Sequence, residues 1–424
     1  MSWVSFISFA TCLLLAATTF FRRTDVFAPY RVFGFIWSLA IGLADLKFSF
    51  FQRVWTTYSW VVLLIGICSM MIGFFIAGVP FIDKPMLSFS EQRRRLFEAP
   101  VSKDKLFWTI ILLSVLYIIG LCVEVQAAGT FPAFAARPDR ARIEFGVFGI
   151  HLFVTTMPTI LLLGTEYVVL FWKKSPMIRR LFLLLACSSV FFTFALLLQR
   201  FGYVMWAIPT ICFVYYATNR IKFRHLLLSG TILLGFLQIL QSIRVARYVE
   251  HYTYVVSRMR FPKTYAALTE PYMYIAMNLE NFARSVEQWT SYTYGYFTFD
   301  FLMALTGLKH PLAKEFGLVE RPFLISGYNT FSFLMPFYQD FGVFGVAVIP
   351  LSLGVGIGYL YHRMRRQPTV TNTTMYSVAV YLLVISFFIH ALGMLTVFSN
   401  VLLLAVLHLV LLENRTRENG PGYA

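Results

Sequence analysis

Long apolar runs of about 18–25 residues follow one another along the chain, separated mostly by short polar stretches. The runs lack the period-2 alternation of strands, and a helix needs about 20 apolar residues to cross a bilayer. Inside a bilayer, backbone N–H and C=O groups must be paired within the protein, as they are in a helix. The pattern predicts an all-α polytopic membrane protein with about eleven spans, at residues 2–20, 31–47, 57–78, 106–124, 147–172, 181–198, 201–217, 226–243, 341–361, 374–391 and 398–412.

Basic residues mark every second connection between these spans. Since cytoplasmic loops carry an excess of Lys and Arg, that side is predicted to be the cytoplasm, with the N-terminus outside and the C-terminus inside. Two outer segments remain, a short loop at 125–146 and a large loop at 244–340. The predicted organisation is therefore 1–243 with eight spans, 244–340 as the large outer loop, and 341–424 with the last three spans and a cytoplasmic C-terminus.

The composition agrees with a lipid environment. The chain is 58% hydrophobic and 13% charged, whereas soluble domains carry about 25% charged residues. A net charge of +16 would suggest a nucleic-acid partner in a soluble protein, but here it has plainer sources in cytoplasmic loops and a basic outer loop, so no nucleic-acid partner is predicted. All five cysteines fall inside apolar runs and are expected to be core residues rather than disulfides or metal ligands.

Arginines on the predicted outer side are the first candidate site residues. Arg142 lies in the first outer loop, Arg200 lies in a tight connection between two spans, and Arg244 and Arg247 follow the eighth span. Because the planar guanidinium suits bidentate binding of phosphate, the set predicts an anion site, for which a pyrophosphate at the outer leaflet is a suitable ligand. The alternative is that each arginine reaches lipid headgroups or pairs with a nearby carboxylate.

The large loop is expected to be ordered and functional, because it carries about half of the chain's 23 tyrosines and few serines or glycines. Tyr272, Tyr274, Trp289 and Tyr292 are candidate glycan ligands, since aromatic faces stack on sugars and tyrosine hydroxyls hydrogen-bond to them. An aromatic belt at the membrane interface, or ordinary packing within the loop, is the alternative.

Carboxylates and histidines supply candidate general bases. Asp340 stands where the ninth span begins, so it is either a base near the membrane surface or a carboxylate favoured by a helix N-terminus. His251 lies close to the basic pair Arg244 and Arg247, with His310 and His390 as further candidates. Glu280 and Arg284 are spaced for a helical salt bridge.

Glu166 is a carboxylate predicted to lie within the fifth span, where ionisable residues are expensive and often functional. The sequence contains no Walker A motif, dinucleotide fingerprint, nucleophile elbow, HExxH motif or DxD-type nucleotide-sugar motif. We therefore predict no cofactor and no metal. If the protein is a glycosyltransferase, the missing DxD-type motif indicates that its donor is a lipid-linked sugar rather than a nucleotide sugar.

The chain resembles the bacterial oligosaccharide repeat-unit polymerases, the Wzy-type O-antigen polymerases. The resemblance extends along nearly the whole chain as a pattern: about eleven spans, an arginine in a tight outer hairpin (LLLQRFGYVMW), and a long outer loop late in the chain. The loop opens with SIRVARY, continues with YMYIAMNLENF and closes with GYNTFSFLMPFYQDFGVFG.

The resemblance implies a GT-C-like fold in the bacterial cytoplasmic (inner) membrane, with the active site facing the periplasm. It implies joining of repeat units carried on undecaprenyl pyrophosphate, without a metal, and suggests a polysaccharide chain-length regulator as a partner beside membrane lipids. By resemblance, Arg200 matches the family's hairpin arginine and Arg244 its basic stretch. Asn278, Asn329 and Tyr338 of the family-like segments join the candidate glycan ligands.

Three alternatives remain open. An O-antigen ligase performs the same chemistry with lipid A core as acceptor. A lipid-linked oligosaccharide flippase or other transporter is less favoured, because the sequence shows no internal repeat and its spans are nearly free of Arg and Lys. A membrane-bound acyltransferase would require a histidine near the bilayer, for which His390 is a rough fit.

Overall fold

A computed structural model of the protein describes residues 2–22, 24–83, 85–98, 101–219, 221, 223–244, 249–317, 325, 328 and 330–411. These residues are helical, apart from loops and isolated bridge residues, which include an antiparallel bridge between Ser49 and Met259. The α-helices are α1 (Trp3–Arg22), α2 (Pro29–Asp45), α3 (Thr57–Gly78), α4 (Phe89–Phe97), α5 (Lys103–Ala128), α6 (Pro138–Glu144), α7 (His151–Val154), α8 (Met157–Phe171), α9 (Met177–Ala195), α10 (Arg200–Ala217), α11 (Phe223–Arg244), α12 (Val249–Val256), α13 (Thr269–Gln288), α14 (Asp300–Leu305), α15 (Lys309–Glu315), α16 (Leu334–Arg366), α17 (Val370–Ile385) and α18 (Leu395–Leu411). Short 3₁₀ helices lie at Val79–Phe81, Pro132–Phe134, Trp172–Lys174, Lys263–Leu268 and Ala391–Gly393.

Seven helical segments of the described chain are long and apolar enough to cross a membrane, so the all-helical membrane class is confirmed. They are Trp3–Phe20, Thr57–Phe81, Lys103–Phe134, His151–Lys174, Met177–Ala195, His225–Ile243 and Leu334–Arg366. Each of the other four predicted spans also coincides with a helix, but α2, α17 and α18 have 16 or 17 residues. The fourth, α10, is less apolar because it contains Arg200 and three tyrosines.

Helix ends are set by local capping. The hydroxyl of Thr56 accepts a hydrogen bond from Ser59 N at the start of α3, and Ser102 accepts one from Lys105 N at the start of α5. At the other end of α5, Gly129 takes a left-handed conformation with φ of 77°. Such caps satisfy backbone groups that have no partner within the helix.

The chain forms two compact units, each assembled from three separate stretches. Unit 1 comprises 1–85, 247–362 and 379–398, and unit 2 comprises 86–246, 363–378 and 399–424. The units therefore cut across the three consecutive segments predicted from topology.

Aromatic packing forms the centre of unit 1. The rings of Phe33, Trp37, Phe74 and Phe333 meet at centroid distances of 5.7–6.3 Å. The indole N–H of Trp37 donates to Ser386 Oγ at 2.8 Å, which satisfies the one polar group of that fully buried side chain.

Glycines allow α3 and α16 of unit 1 to touch through their backbones. A Cβ at Gly73 would lie 2.4 Å from Leu351 O, and a Cβ at Gly354 would lie 2.4 Å from Met70 O. Small residues at such contacts are typical of helix pairs in membranes.

Unit 2 is built around α5, α8, α9 and α10, which pack on one another. Glu166 lies near the end of α8 that is predicted to face the cytoplasm. It is fully buried, accepts a hydrogen bond from Thr374 Oγ1 and lies 3.3 Å from His408 Nε2. Glu166 therefore lies within a helix-packed interior, with neighbours that can share its charge or proton.

Helix α16 of unit 1 begins earlier than predicted and is interrupted. It starts at Leu334 rather than 341, and its backbone leaves the helical region at Gly342, with φ of 62° and ψ of −147°. A β-carbon at Gly342 would meet the Tyr292 hydroxyl at 2.6 Å, so conformation and space both require glycine. The break separates a first section, up to Phe341, from the rest of the helix.

Candidate functional site

In unit 2, the first outer loop packs against the connection between α9 and α10. The backbone N–H of Ala133 donates to Leu196 O at 3.0 Å, and the 3₁₀ helix that contains Ala133 packs on α6, which carries Arg142. Arg200 is the first residue of α10, four residues after Leu196. The structure therefore brings the loop that carries Arg142 beside the hairpin that carries Arg200, and both arginines are partly exposed.

The hairpin before Arg200 is tightly made. Leu198 has a positive φ of 57° and is buried, and its N–H donates to Ala195 O at 3.0 Å. A non-glycine residue held in this region costs about 1–3 kcal/mol and persists only where packing fixes it. The conformation fixes the backbone from which the Arg200 side chain leaves.

Four predicted site residues fall outside what the structure describes. Arg244 ends α11, but its side chain lies outside the described residues, as does the side chain of His251 in α12. Arg247 and Asn329 lie entirely outside them.

Asp340 is placed in unit 1 as the centre of a hydrogen-bonded turn. Its carboxylate is fully buried and accepts hydrogen bonds from Thr293 Oγ1 (2.5 Å), Phe297 N (3.2 Å) and Thr298 N (2.6 Å). Asp340 also lies just before the break at Gly342 rather than at the helix N-terminus considered from the sequence. A carboxylate engaged in this way favours a structural role, because three protein donors already occupy its oxygens.

Three of the candidate glycan ligands are buried and use their polar groups within unit 1. The Tyr272 hydroxyl donates to Gln52 Oε1 at 2.6 Å, and the Tyr338 hydroxyl donates to Val286 O at 3.1 Å. Asn278 Oδ1 accepts from Thr330 Oγ1 at 2.5 Å. These contacts favour packing of the loop, the alternative considered from the sequence, over contact with a glycan.

Three others retain accessible surface. Tyr274 is 36% exposed and packs beside Phe388, and Tyr292 is 45% exposed and lies over Gly342. Trp289 is partly exposed, and its indole N–H donates to Gln339 O at 3.0 Å, so the ring is held in place. These rings are the predicted ligands that could still stack on a sugar.

The predicted salt bridge between Glu280 and Arg284 is confirmed, with Arg284 Nε 3.4 Å from Glu280 Oε1. Glu280 is buried and also accepts hydrogen bonds from Trp55 Nε1 at 2.8 Å and Arg53 N at 3.2 Å. The bridge therefore belongs to a network that fixes α13 to the segment before α3.

A cavity of about 190 Å³ lies in unit 1 beneath the turn held by Asp340. His390 is in its wall, and the ring Nε2 lies 3.0 Å from Thr298 O, which indicates an N–H donor at that nitrogen. Burial lowers the pKa of His390, in the connection between α17 and α18, to about 4, so the ring is neutral at pH 7. Asp300 and Lys309, also in the wall, form an ion pair at 2.8 Å.

Sequence reasoning missed Asp300 and Lys309, and ranked His390 below Asp340. The remaining wall is mostly apolar and aromatic: Tyr296, Phe297, Phe331, Pro336, Ile389, Gly393 and Met394. A largely apolar pocket with a few converging polar groups is typical of a small-molecule site. Asp300 and Lys309 are nine residues apart in an aromatic segment, which is a weak signal that could have drawn attention to them.

Comparisons of the chain with protein-family models, with curated proteins and with solved structures found no match. The resemblance to the repeat-unit polymerases therefore rests on the pattern of the sequence.

Proposed function

We propose that the protein is a polymerase that joins undecaprenyl-pyrophosphate-linked oligosaccharide repeat units into a surface polysaccharide. The observation that carries the proposal is the Ala133–Leu196 hydrogen bond, which joins the Arg142-bearing loop of unit 2 to the Arg200-bearing hairpin. Two arginine-bearing segments from separate parts of the chain then meet where the topology expects the outer leaflet. A pyrophosphate headgroup has the charge and the paired oxygens that guanidinium groups bind best.

The proposal includes the topology and location. In the proposed topology α2, α10, α17 and α18 are counted as spans, which gives eleven, and the arginine loops and the segment between α11 and α16 lie on the periplasmic side of a bacterial inner membrane. Basic stretches such as Arg93–Arg95 then lie in the cytoplasm, as the positive-inside rule requires. A GT-C-like arrangement belongs to the same proposal.

The reaction breaks the bond between the glycan's anomeric carbon and the pyrophosphate oxygen, and forms a new bond to an acceptor sugar hydroxyl. The electron pair stays on undecaprenyl pyrophosphate, and the hydroxyl proton leaves to a base. Arginines at the leaving oxygen stabilise the developing charge, and each such donor contributes on the order of 100-fold or more to the rate in comparable sites.

Glycan contacts are proposed for unit 1. The exposed faces of Tyr274 and Tyr292 and the fixed ring of Trp289 offer stacking surfaces. The cavity of about 190 Å³ offers the Asp300–Lys309 pair and the His390 ring to sugar hydroxyls, against apolar walls. A polar ligand with one apolar face, such as a sugar ring, matches this mixture.

The test uses purified protein in nanodiscs with the lipid-linked repeat unit, EDTA, and no nucleotide sugar or ATP. The expected product is a ladder of multiples of the unit, still on undecaprenyl pyrophosphate. Arg200→Ala should lower the rate about 100-fold, while Arg200→Lys should recover part of it. Arg94→Ala is the matched control, because this unit 2 arginine is exposed in α4 and, among the described residues, pairs with Glu91 and Glu98.

Unchanged substrate, shown to be the cognate glycan, would refute the polymerase. Glycan transferred to a lipid A core acceptor would instead identify a ligase, and movement of substrate across the bilayer without a new bond would identify a flippase. A ladder with equal rates for Arg200→Ala and Arg94→Ala would leave the polymerase but refute the arginine site.

A further inference from the structure

A buried carboxylate lies at the end of α5 that is predicted to face outward in unit 2. Glu124 is 1% exposed, and its Oε1 accepts a hydrogen bond from Val147 N at 3.2 Å and lies 2.9 Å from His151 Nδ1. Its second oxygen, Oε2, is buried and has no hydrogen-bond partner among the described residues.

The imidazole of His151 is held by this carboxylate while remaining accessible. Its side chain is 27% exposed. In the tautomer in which Nδ1–H donates to Glu124 Oε1, the Nε2 atom presents a lone pair. Nothing in the described part of the chain hydrogen-bonds to that Nε2. A histidine whose Nδ1–H is held by a carboxylate and whose Nε2 is accessible has the arrangement of a general base.

The local backbone supports this placement. Gly146 has a φ of 135°, and a Cβ there would lie 3.0 Å from His151 Nδ1, so a larger residue would displace the ring. Helix α7, which begins with His151, packs against α5. The loop that leads into α7 is the one that carries Arg142, so the imidazole follows Arg142 by nine residues.

We infer that His151, oriented by Glu124, is the proton acceptor for the attacking sugar hydroxyl. This inference rests on the proposed glycosyl transfer. As the hydroxyl oxygen bonds to the anomeric carbon, its proton passes to His151 Nε2 and the bond to pyrophosphate breaks. The imidazolium then returns the proton to water, and Glu124 acts as a positioning residue that fixes the ring's tautomer and steadies its positive charge.

The test measures initial rates of ladder formation by wild-type protein, His151→Ala, Glu124→Gln and His225→Gln. His151→Ala should be slowed about 100-fold or more, and added imidazoles should restore activity in proportion to their basicity. A glutamine at 124 keeps the shape and an acceptor oxygen, so Glu124→Gln should fold normally and be slowed at least tenfold without a matching rise in KM. His225→Gln is the control, because His225 lies near the start of α11, at the end of that helix predicted to face the cytoplasm.

The results distinguish a catalytic role of His151 from a structural one, and both from failure of the proposed function. A ladder from wild type and an equal rate from His151→Ala would overturn the dyad while the polymerase stands. A slow His151→Ala variant that elutes like wild type but gains nothing from imidazole would show a structural role, and would also overturn it. If wild-type protein makes no ladder, the proposed function fails and the assignment falls with it.

Discussion

Replacing Asp340 with asparagine separates the two roles that the sequence left open for this carboxylate. In the structure Asp340 holds the turn of residues 293–298 in unit 1 through three hydrogen bonds. The asparagine side chain has nearly the same shape, but only one of its two terminal atoms can accept. A structural role predicts a loss of stability, whereas a role as general base predicts a loss of activity in a normally stable protein.

The size of the effect follows from the hydrogen bonds. Oδ1 accepts from Thr293 Oγ1 and Phe297 N, and Oδ2 accepts from Thr298 N. In the amide, one of these donors faces an NH₂ group, and a buried donor left without an acceptor costs about 1–3 kcal/mol. The other bonds lose the strength that the charge gives them, so Asp340→Asn should lower the free energy of unfolding by about 2–4 kcal/mol.

The assay is unfolding of the purified protein, followed by tryptophan fluorescence, because Trp289 bonds to Gln339 O beside this turn. Asp83→Asn is the matched control, since Asp83 is an exposed aspartate of the same unit and should change stability by less than about 0.5 kcal/mol. An Asp340→Asn variant as stable as the control would refute the structural reading. If that variant were also inactive, Asp340 would return as a candidate base.

Two further predictions concern unit 1. Gly354→Ala should lower the free energy of unfolding by about 1–3 kcal/mol, because the new methyl group would lie 2.4 Å from Met70 O. Gly356 has open space around it, so the control Gly356→Ala should be neutral or stabilising. Equal unfolding midpoints for the two variants would contradict this prediction. Burial depresses the His390 pKa to about 4 from 6.5, so the folded state resists a proton that the unfolded state takes up. The free energy of unfolding should therefore fall by about 2–3 kcal/mol between pH 6.5 and pH 4.5. His390→Gln should remove that part of the pH dependence. A His390→Gln variant with the same pH profile as the wild type would refute the prediction.

The lengths and positions of the apolar runs predicted most of the long helices. The span predicted at 57–78 coincides with α3, and the one at 201–217 differs from α10 by one residue. The start of α16 was missed because Pro336, Gln339 and Asp340 have the composition of a loop. The Asp340 carboxylate accepts from Thr298 N and the Gln339 backbone carbonyl accepts from Trp289 Nε1, both some 40–50 residues earlier in the chain, and no local pattern shows such contacts.

The candidate site was predictable only in part. The arginines could be identified as candidates because the positive-inside rule predicts few arginines in outer loops. The Glu280–Arg284 salt bridge follows from the i, i+4 spacing of a helix. Glu124 and His151 lie 27 residues apart, on either side of a loop, so their pairing depends on how α7 packs on α5. A carboxylate at the end of one predicted span and a histidine at the start of the next was the available signal.

The interleaving of the two units has a consequence for biosynthesis. The first 85 residues belong to a unit that is completed only by residues 379–398. At ribosomal speeds of about 5–20 residues per second, roughly 15–60 s separate these two stretches. During that interval the helices of residues 1–85 lack the contacts that residues 379–398 later supply. Unit 2 also includes residues beyond 398, so neither unit can reach its final packing while the chain up to residue 378 is being synthesised.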